Sequence, residues 1–148
     1  MKQSFPPLIN QRSHFLILGT LPGEDSLAFQ QYYGHRRNHF WRIIGDIIGQ
    51  PLALWDTVAA ANRQGSLDQH IHQPIFNDIP ALLRHYPSIS YIGFNGKQAR
   101  RFFQSHESQL PRTITLVDLP STSPAYTLAY EHKLAAWQQA LQSIVKCS

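Results

Sequence analysis

One feature limits what this chain can fold into more than any other: short, wholly apolar runs that stop abruptly. His14–Leu18 carries no polar alternation and ends at Gly19-Thr20-Leu21-Pro22-Gly23, a strong turn signal. A run of that kind fits a strand covered on both faces, as in a parallel sheet. Ser90–Phe94 ends similarly at Asn95-Gly96, and Thr113–Leu119 ends at Pro120; Pro51–Trp55 is a weaker fourth candidate. Helical patterns lie between these runs. Phe40, Ile43, Ile44, Ile47 and Ile48 share one helical face. Asp78–Tyr86 follows Asn77 as a predicted N-cap, with Pro80 in the first turn where proline is tolerated. Lys97–His106 follows, and in Leu128–Ile144 the residues Leu134, Trp137, Leu141 and Ile144 share a face. Strands alternating with helices predict an α/β fold, a three-layer α/β/α sandwich around a central, mainly parallel sheet of about four strands.

Composition narrows the setting. The 148 residues fit one domain spanning the whole chain, with no repeat, low-complexity tract or linker to divide it. A single cysteine, Cys147, excludes an internal disulfide framework, a four-cysteine zinc site and an iron–sulfur cluster. Charged residues are 15% and aromatic residues 11%, which excludes a disordered chain. No apolar run approaches the roughly 20 residues needed to span a bilayer, and the first residues do not resemble a secretory signal, so a cytoplasmic location is expected. The formal charge of +4 permits a polyanionic partner without demanding one.

In a parallel sheet, ligands bind beyond the carboxyl ends of the strands, which singles out three loops: Gly19–Gly23, Asn95–Lys97 and Pro120–Pro124. The first places two glycines and a proline after a buried strand, where main-chain N–H groups can meet a ligand; a plain turn is the alternative, and a Walker loop is excluded. The third sets Ser121, Thr122 and Ser123 between two prolines, a stiff hydroxylated loop suited to gripping phosphate, although such clusters are also ordinary loop chemistry. The densest stretch, Gln31–Trp41, interleaves aromatic rings with Arg36, Arg37, Asn38 and two histidines, a mixture suited to a nucleobase and its phosphates. Trp41 reads better as a core residue of the following helix. His70 and His72 lack a third metal ligand at supporting spacing, no Gly-x-Ser-x-Gly elbow is present, and Cys147 has no base beside it. Lys97 reads as a contact to phosphate or solvent rather than as a Schiff-base former.

Taken in order, these segments resemble the uracil-DNA glycosylase superfamily. Gly19-Thr20-Leu21-Pro22-Gly23 is similar to its first motif, and Leu119-Pro120-Ser121-Thr122-Ser123 to its second, whose core is Pro-Ser. Gly34–Trp41, with Asn38-His39-Phe40-Trp41, resembles the stretch after the first motif in mismatch-specific uracil and thymine glycosylases, and Phe94-Asn95-Gly96-Lys97 their third strand end. The family usually has a polar residue at the third position of the first motif and His or Asn at the start of the second; here these are Leu21 and Leu119. Those replacements resemble the hypoxanthine (deoxyinosine) glycosylase branch, as do Gly65-Ser66-Leu67-Asp68 and Asn77-Asp78-Ile79-Pro80. The iron–sulfur branches are excluded by the cysteine count.

The resemblance implies hydrolysis of the N-glycosidic bond of a deaminated base in single- or double-stranded DNA, by base flipping, with no cofactor or metal. A monomer is expected. It implies that Tyr33 stacks on the flipped base, that the backbone of Gly19–Gly23 supplies part of the donors aimed at it, with Gly19 and Leu21 in the catalytic set, and that Thr20 and Pro22 contact the base. Asn38 takes the displaced polar role and Asn95 reads the purine edge. His39 is a candidate proton donor, or else a capping or core histidine. Ser121 and Ser123 would grip flanking phosphates, Thr122 or Tyr126 would fill the gap in the stack, and Arg36, Arg37 and Lys97 would face the backbone, with Arg100 and Arg101 adding charge nearby. Two alternatives remain open at this point: a non-catalytic DNA-binding relative and a nucleoside- or nucleotide-processing α/β hydrolase.

Overall fold

The computed structural model describes residues 2–22, 26, 31–34, 37–40, 42–43, 52–63, 66, 71–124 and 126–145. Several positions singled out in the sequence lie outside the described residues: Gly23, His35, Arg36, Trp41, Ile44, Ile47, Ile48, Pro51, Gly65, Leu67, Asp68, His70 and Cys147.

Four parallel strands form the main sheet: β2 (Phe15–Gly19), β3 (Leu52–Asp56), β6 (Tyr91–Asn95) and β7 (Thr115–Leu119), in the order β3-β2-β6-β7. All four are among the runs expected from the sequence, shifted by one or two residues. The period-2 geometry of β2 divides the core. Leu16 and Leu18 face one side, where they join Ile79, Leu82 and Leu83 of α1 (Ile79–His85) and Ala99 and Phe103 of α2 (Lys97–Phe103). Phe15 and Ile17 face the other, against Phe40, Ile43, and Trp137 and Leu141 of α3 (Tyr130–Val145). Helices therefore cover both faces, which makes the α/β/α sandwich. Gly93 lies in the middle of β6, where a Cβ would fall 2.5 Å from Phe15 Cε1 and 2.8 Å from Leu119 Cδ1. Overpacking of this kind costs about 1–3 kcal/mol, so Gly93→Ala is expected to lower Tm by several degrees in a thermal melt. An unchanged Tm would contradict this packing.

Three features depart from the sequence reading. A second, antiparallel sheet pairs β1 (Lys2–Gln3), β4 (Val58–Asn62) and β5 (His72–Phe76), in the order β1-β4-β5. The N-cap of α1 is Asp78, whose side chain accepts from Ala81 N–H at 3.0 Å. Asn77 instead donates from Nδ2 to the Asp56 carbonyl at 2.8 Å and to Ser4 Oγ. The helix expected over Lys97–His106 stops at Phe103 and tightens into a 3-10 helix over Gln104–Gln109. Among the described residues no helix is long and apolar enough to cross a membrane.

Candidate active site

The three loops meet at the carboxyl edge of the main sheet, and most carbonyl groups of the first and third are already taken. In the first loop, Gly19 O accepts from Thr57 N–H at 2.9 Å and Thr57 Oγ1 at 3.1 Å, and Thr20 O from Val58 N–H at 2.9 Å. Leu21 O and Pro22 O both accept from the guanidinium of Arg63, which is buried. A trans peptide points its N–H opposite the preceding carbonyl, so the N–H groups of Thr20 and Leu21 are aimed away from β4. The third loop is held in the same manner. Leu119 O accepts from Gly96 N–H, Pro120 O from Trp137 Nε1, Thr122 O from His39 N–H, and Ser123 O from Lys133 Nζ. In the first loop, carbonyls held toward β4 turn the intervening N–H groups to the other side, where an anion can meet them; in the third, the N–H groups of Thr122 and Ser123 are themselves engaged, with Asn95 Oδ1 and Ser121 Oγ.

Leu21 keeps its expected backbone role, whereas Thr122 departs from the one expected of it. The Leu21 side chain is buried among Val58, Ala61 and Ile71, so only its backbone can serve a substrate. An apolar side chain gains by joining that cluster, which is why the third motif position turns inward here. Thr122 is 0% exposed and cannot fill a gap in a base stack as the protein stands. It is a junction: its N–H donates to Asn95 Oδ1 at 2.9 Å, and its hydroxyl accepts from Asn95 Nδ2 at 3.0 Å. The Asn95 amide is thereby committed to joining the second and third loops, and one lone pair and one N–H remain for anything else.

Asn38 sits before the helical turn that begins at Phe40, and its Oδ1 accepts from Phe40 N–H at 2.9 Å. That bond satisfies an orphan helix donor and fixes the side chain. No described residue accepts from Nδ2, so Asn38 offers the site a held amide donor. Tyr33 has a left-handed backbone, φ 54°, costly for a non-glycine residue and often a mark of a functional site. Its ring packs on Phe40 with centroids 4.1 Å apart. Its hydroxyl and Asp56 Oδ1 lie 3.0 and 2.8 Å from the point where a Gly19 Cβ would stand, so glycine is what lets these two groups close on the strand end.

His39 has its ring edge-on to Tyr130, 5.2 Å between centroids. Burial holds its pKa below the usual histidine range; Lys133 and Arg42 add to that effect and Glu131 opposes it. A neutral imidazole is a poor resting proton donor. Pro22 is buried. Ser121 and Ser123 are half-buried, Ser121 Oγ accepting from Ser123 N–H at 3.1 Å, while Tyr126 is exposed at the loop's end. Arg37, Lys97 and Arg101 are exposed. Arg100 is engaged with Glu107 at 3.4 Å and Asp118 at 3.3 Å, which removes it from the expected basic edge. His72 is exposed on β5.

Three buried charged residues went unnoticed in the sequence: Asp56, Arg63 and Lys133. Asp56 is the buried carboxylate among the described residues, at the carboxyl end of β3 in register with Gly19. Lys133, fully buried, donates to Ser123 O at 3.2 Å and lies 5.5 Å from the centre of the Tyr126 ring. Burial pushes the pKa of its ammonium down. A strand-end carboxylate one position beyond the apolar run was the one available signal, for Asp56.

A parallel sheet whose first loop turns N–H groups outward, with a held amide and an aromatic ring nearby, has the parts to receive an anionic chain and a base. The family model of the uracil DNA glycosylase superfamily matches residues 6–144, and the chain belongs to that superfamily. It is a DNA glycosylase, and DNA is its substrate. A curated relative, the hypoxanthine DNA glycosylase of Methanosarcina barkeri (strain Fusaro / DSM 804), is 32% identical over 95% of this chain and 98% of its own length. The hypoxanthine DNA glycosylase of Methanosarcina acetivorans is 34% identical over 69% of this chain and 75% of its own. A solution NMR structure from Methanosarcina acetivorans, with a provisional uracil DNA glycosylase assignment, matches with a TM-score of 0.79 and 30% identity over 93% of this chain and 94% of that one.

Proposed function

We propose that the protein removes hypoxanthine from DNA, leaving an abasic site, and that it works as a cytoplasmic monomer. The reading is carried by Leu21: with this side chain turned into an apolar cluster, the polar group at the base must come from elsewhere, and Asn38 is held in place to supply it. The names of the two curated relatives support the same base. The nucleotide leaves the duplex stack, at a cost of a few kcal/mol that is lower for a poorly paired base. Its base lies against Tyr33, and the outward N–H groups of Thr20 and Leu21 face it. As the glycosidic bond breaks, negative charge grows on the purine, and donors fixed in advance stabilise it without reorganising. Asn38 Nδ2 is one such donor, because its oxygen is already committed to Phe40. The third loop receives flanking phosphates through Ser121 and Ser123, with Tyr126, Arg37 and Lys97 on the exposed rim. Asn95 acts by holding Thr122, and His39 by bonding its carbonyl.

The test is an inosine-containing duplex incubated with protein in excess, followed by alkaline cleavage at abasic sites. Cleavage at the inosine is expected, with the undamaged duplex intact. Inosine left uncut while uracil is excised would move the substrate to uracil. Salt-sensitive binding with no excision of hypoxanthine, uracil or xanthine would overturn the reading.

A further inference from the structure

The guanidinium of Arg63 is the least expected charge near the site. Arg63 follows β4 in the small antiparallel sheet, is 6% exposed, and donates through Nη1 to Leu21 O at 3.3 Å and through Nη2 to Pro22 O. Burying a cation is costly unless it is hydrogen-bonded, so its place beneath this loop needs a reason. The planar fork suits two carbonyls at once, and fixes both the direction and the spacing of the two peptides. Neither held carbonyl shares a peptide with the Thr20 or Leu21 N–H, since the peptide of the Leu21 carbonyl ends in proline, so what Arg63 adds to those groups is orientation and the field of its charge. The Thr20–Leu21 peptide, the last with an N–H before Pro22, adjoins the carbonyl that Arg63 holds.

We propose that Arg63 is a positioning residue for glycosidic bond cleavage, holding the first loop so that its N–H groups face the departing base and adding positive potential behind them. The inference rests on the glycosylase reading above. It assigns work to the antiparallel sheet: β4 and the residues at its two ends bring Thr57, Val58 and Arg63 in turn to the carbonyls of Gly19, Thr20, Leu21 and Pro22. Arg63 touches no substrate. Its influence belongs in the chemical step, while DNA affinity is set by phosphate contacts on the third loop.

The experiment compares wild type with Arg63→Lys and Arg63→Ala in single-turnover excision of hypoxanthine. Thermal melts and affinity for an undamaged duplex are measured alongside. Both variants are expected to lose about tenfold to hundredfold in rate. Arg63→Lys loses less, since an ammonium keeps the charge but not the two-carbonyl geometry. Duplex affinity stays unchanged, and methylguanidinium added to Arg63→Ala restores part of the rate by occupying the vacated space. If Arg63→Ala does not fold, Arg63→Lys decides alone. A folded Arg63→Lys at the wild-type rate overturns the proposal, as does a rate loss matched by lost duplex affinity. A wild type that leaves hypoxanthine in place sinks the substrate reading and this inference together; an active wild type with indifferent Arg63 variants sinks this one alone.

Discussion

Replacing Asn38 by alanine is expected to reduce single-turnover excision by about a hundredfold to a thousandfold, the usual loss when one fixed donor to a developing anion is removed. The same change deletes the acceptor for Phe40 N–H, costing about 0.5–2 kcal/mol of stability, so alanine alone mixes two effects. Asn38→Asp separates them. Aspartate keeps an oxygen for Phe40 N–H, and negative charge is favourable near a helix start, so the melt should match wild type or exceed it. It has no N–H to offer, and it puts negative charge beside a leaving group that is becoming negative. Rate should therefore collapse without loss of stability. A fully active Asn38→Asp would remove the donor role and leave Asn38 as a capping residue.

Gly19→Ala is the second large effect. The added methyl would stand 2.8 Å from Asp56 Oδ1 and 3.0 Å from the Tyr33 hydroxyl, both at the buried floor of the site. Neither neighbour yields easily: Asp56 is 3% exposed, and the Tyr33 ring is packed against Phe40. A stability loss of about 1–3 kcal/mol is expected from overpacking. The larger consequence is displacement of the ring on which the flipped base is proposed to lie, at about a hundredfold in rate for a shift near 1 Å. Adding Tyr33→Phe removes one of the two collisions, so the double variant should melt higher than the two single changes predict by addition. Wild-type melting and rate in Gly19→Ala would mean that Tyr33 is not held there.

Most of the main sheet could be read from the chain because strands covered on both faces must be apolar throughout, and because Gly, Pro and Asn punctuate where they end. The antiparallel sheet could not. Val58–Asn62 is rich in alanine, and His72–Phe76 carries Pro74 with most of its residues exposed, so neither has the apolar alternation that marks a strand. Asn77 and Asp78 are both good caps by type, and the choice fell to Asp78 because the Asn77 amide had a carbonyl to bind at Asp56.

The site divides along the same line. Sequence by itself determined that three loops would meet at one sheet edge, since parallel strands all deliver their carboxyl ends to the same side. It also pointed to Asn38, through the company it keeps before an apolar helical face. Only the tertiary structure decided which way the loop groups point. Leu21 turns inward because apolar neighbours were available 37 to 50 positions away, at Val58, Ala61 and Ile71. Arg63 reaches Leu21 across 42 positions, and Asn95 reaches Thr122 across 27. A lone arginine or lysine on a chain of charge +4 carries no local mark of whether it meets solvent or a loop's carbonyls. That outcome depends on which backbone acceptors the fold leaves buried and unpaired, a property of the packed chain that no local stretch of sequence displays.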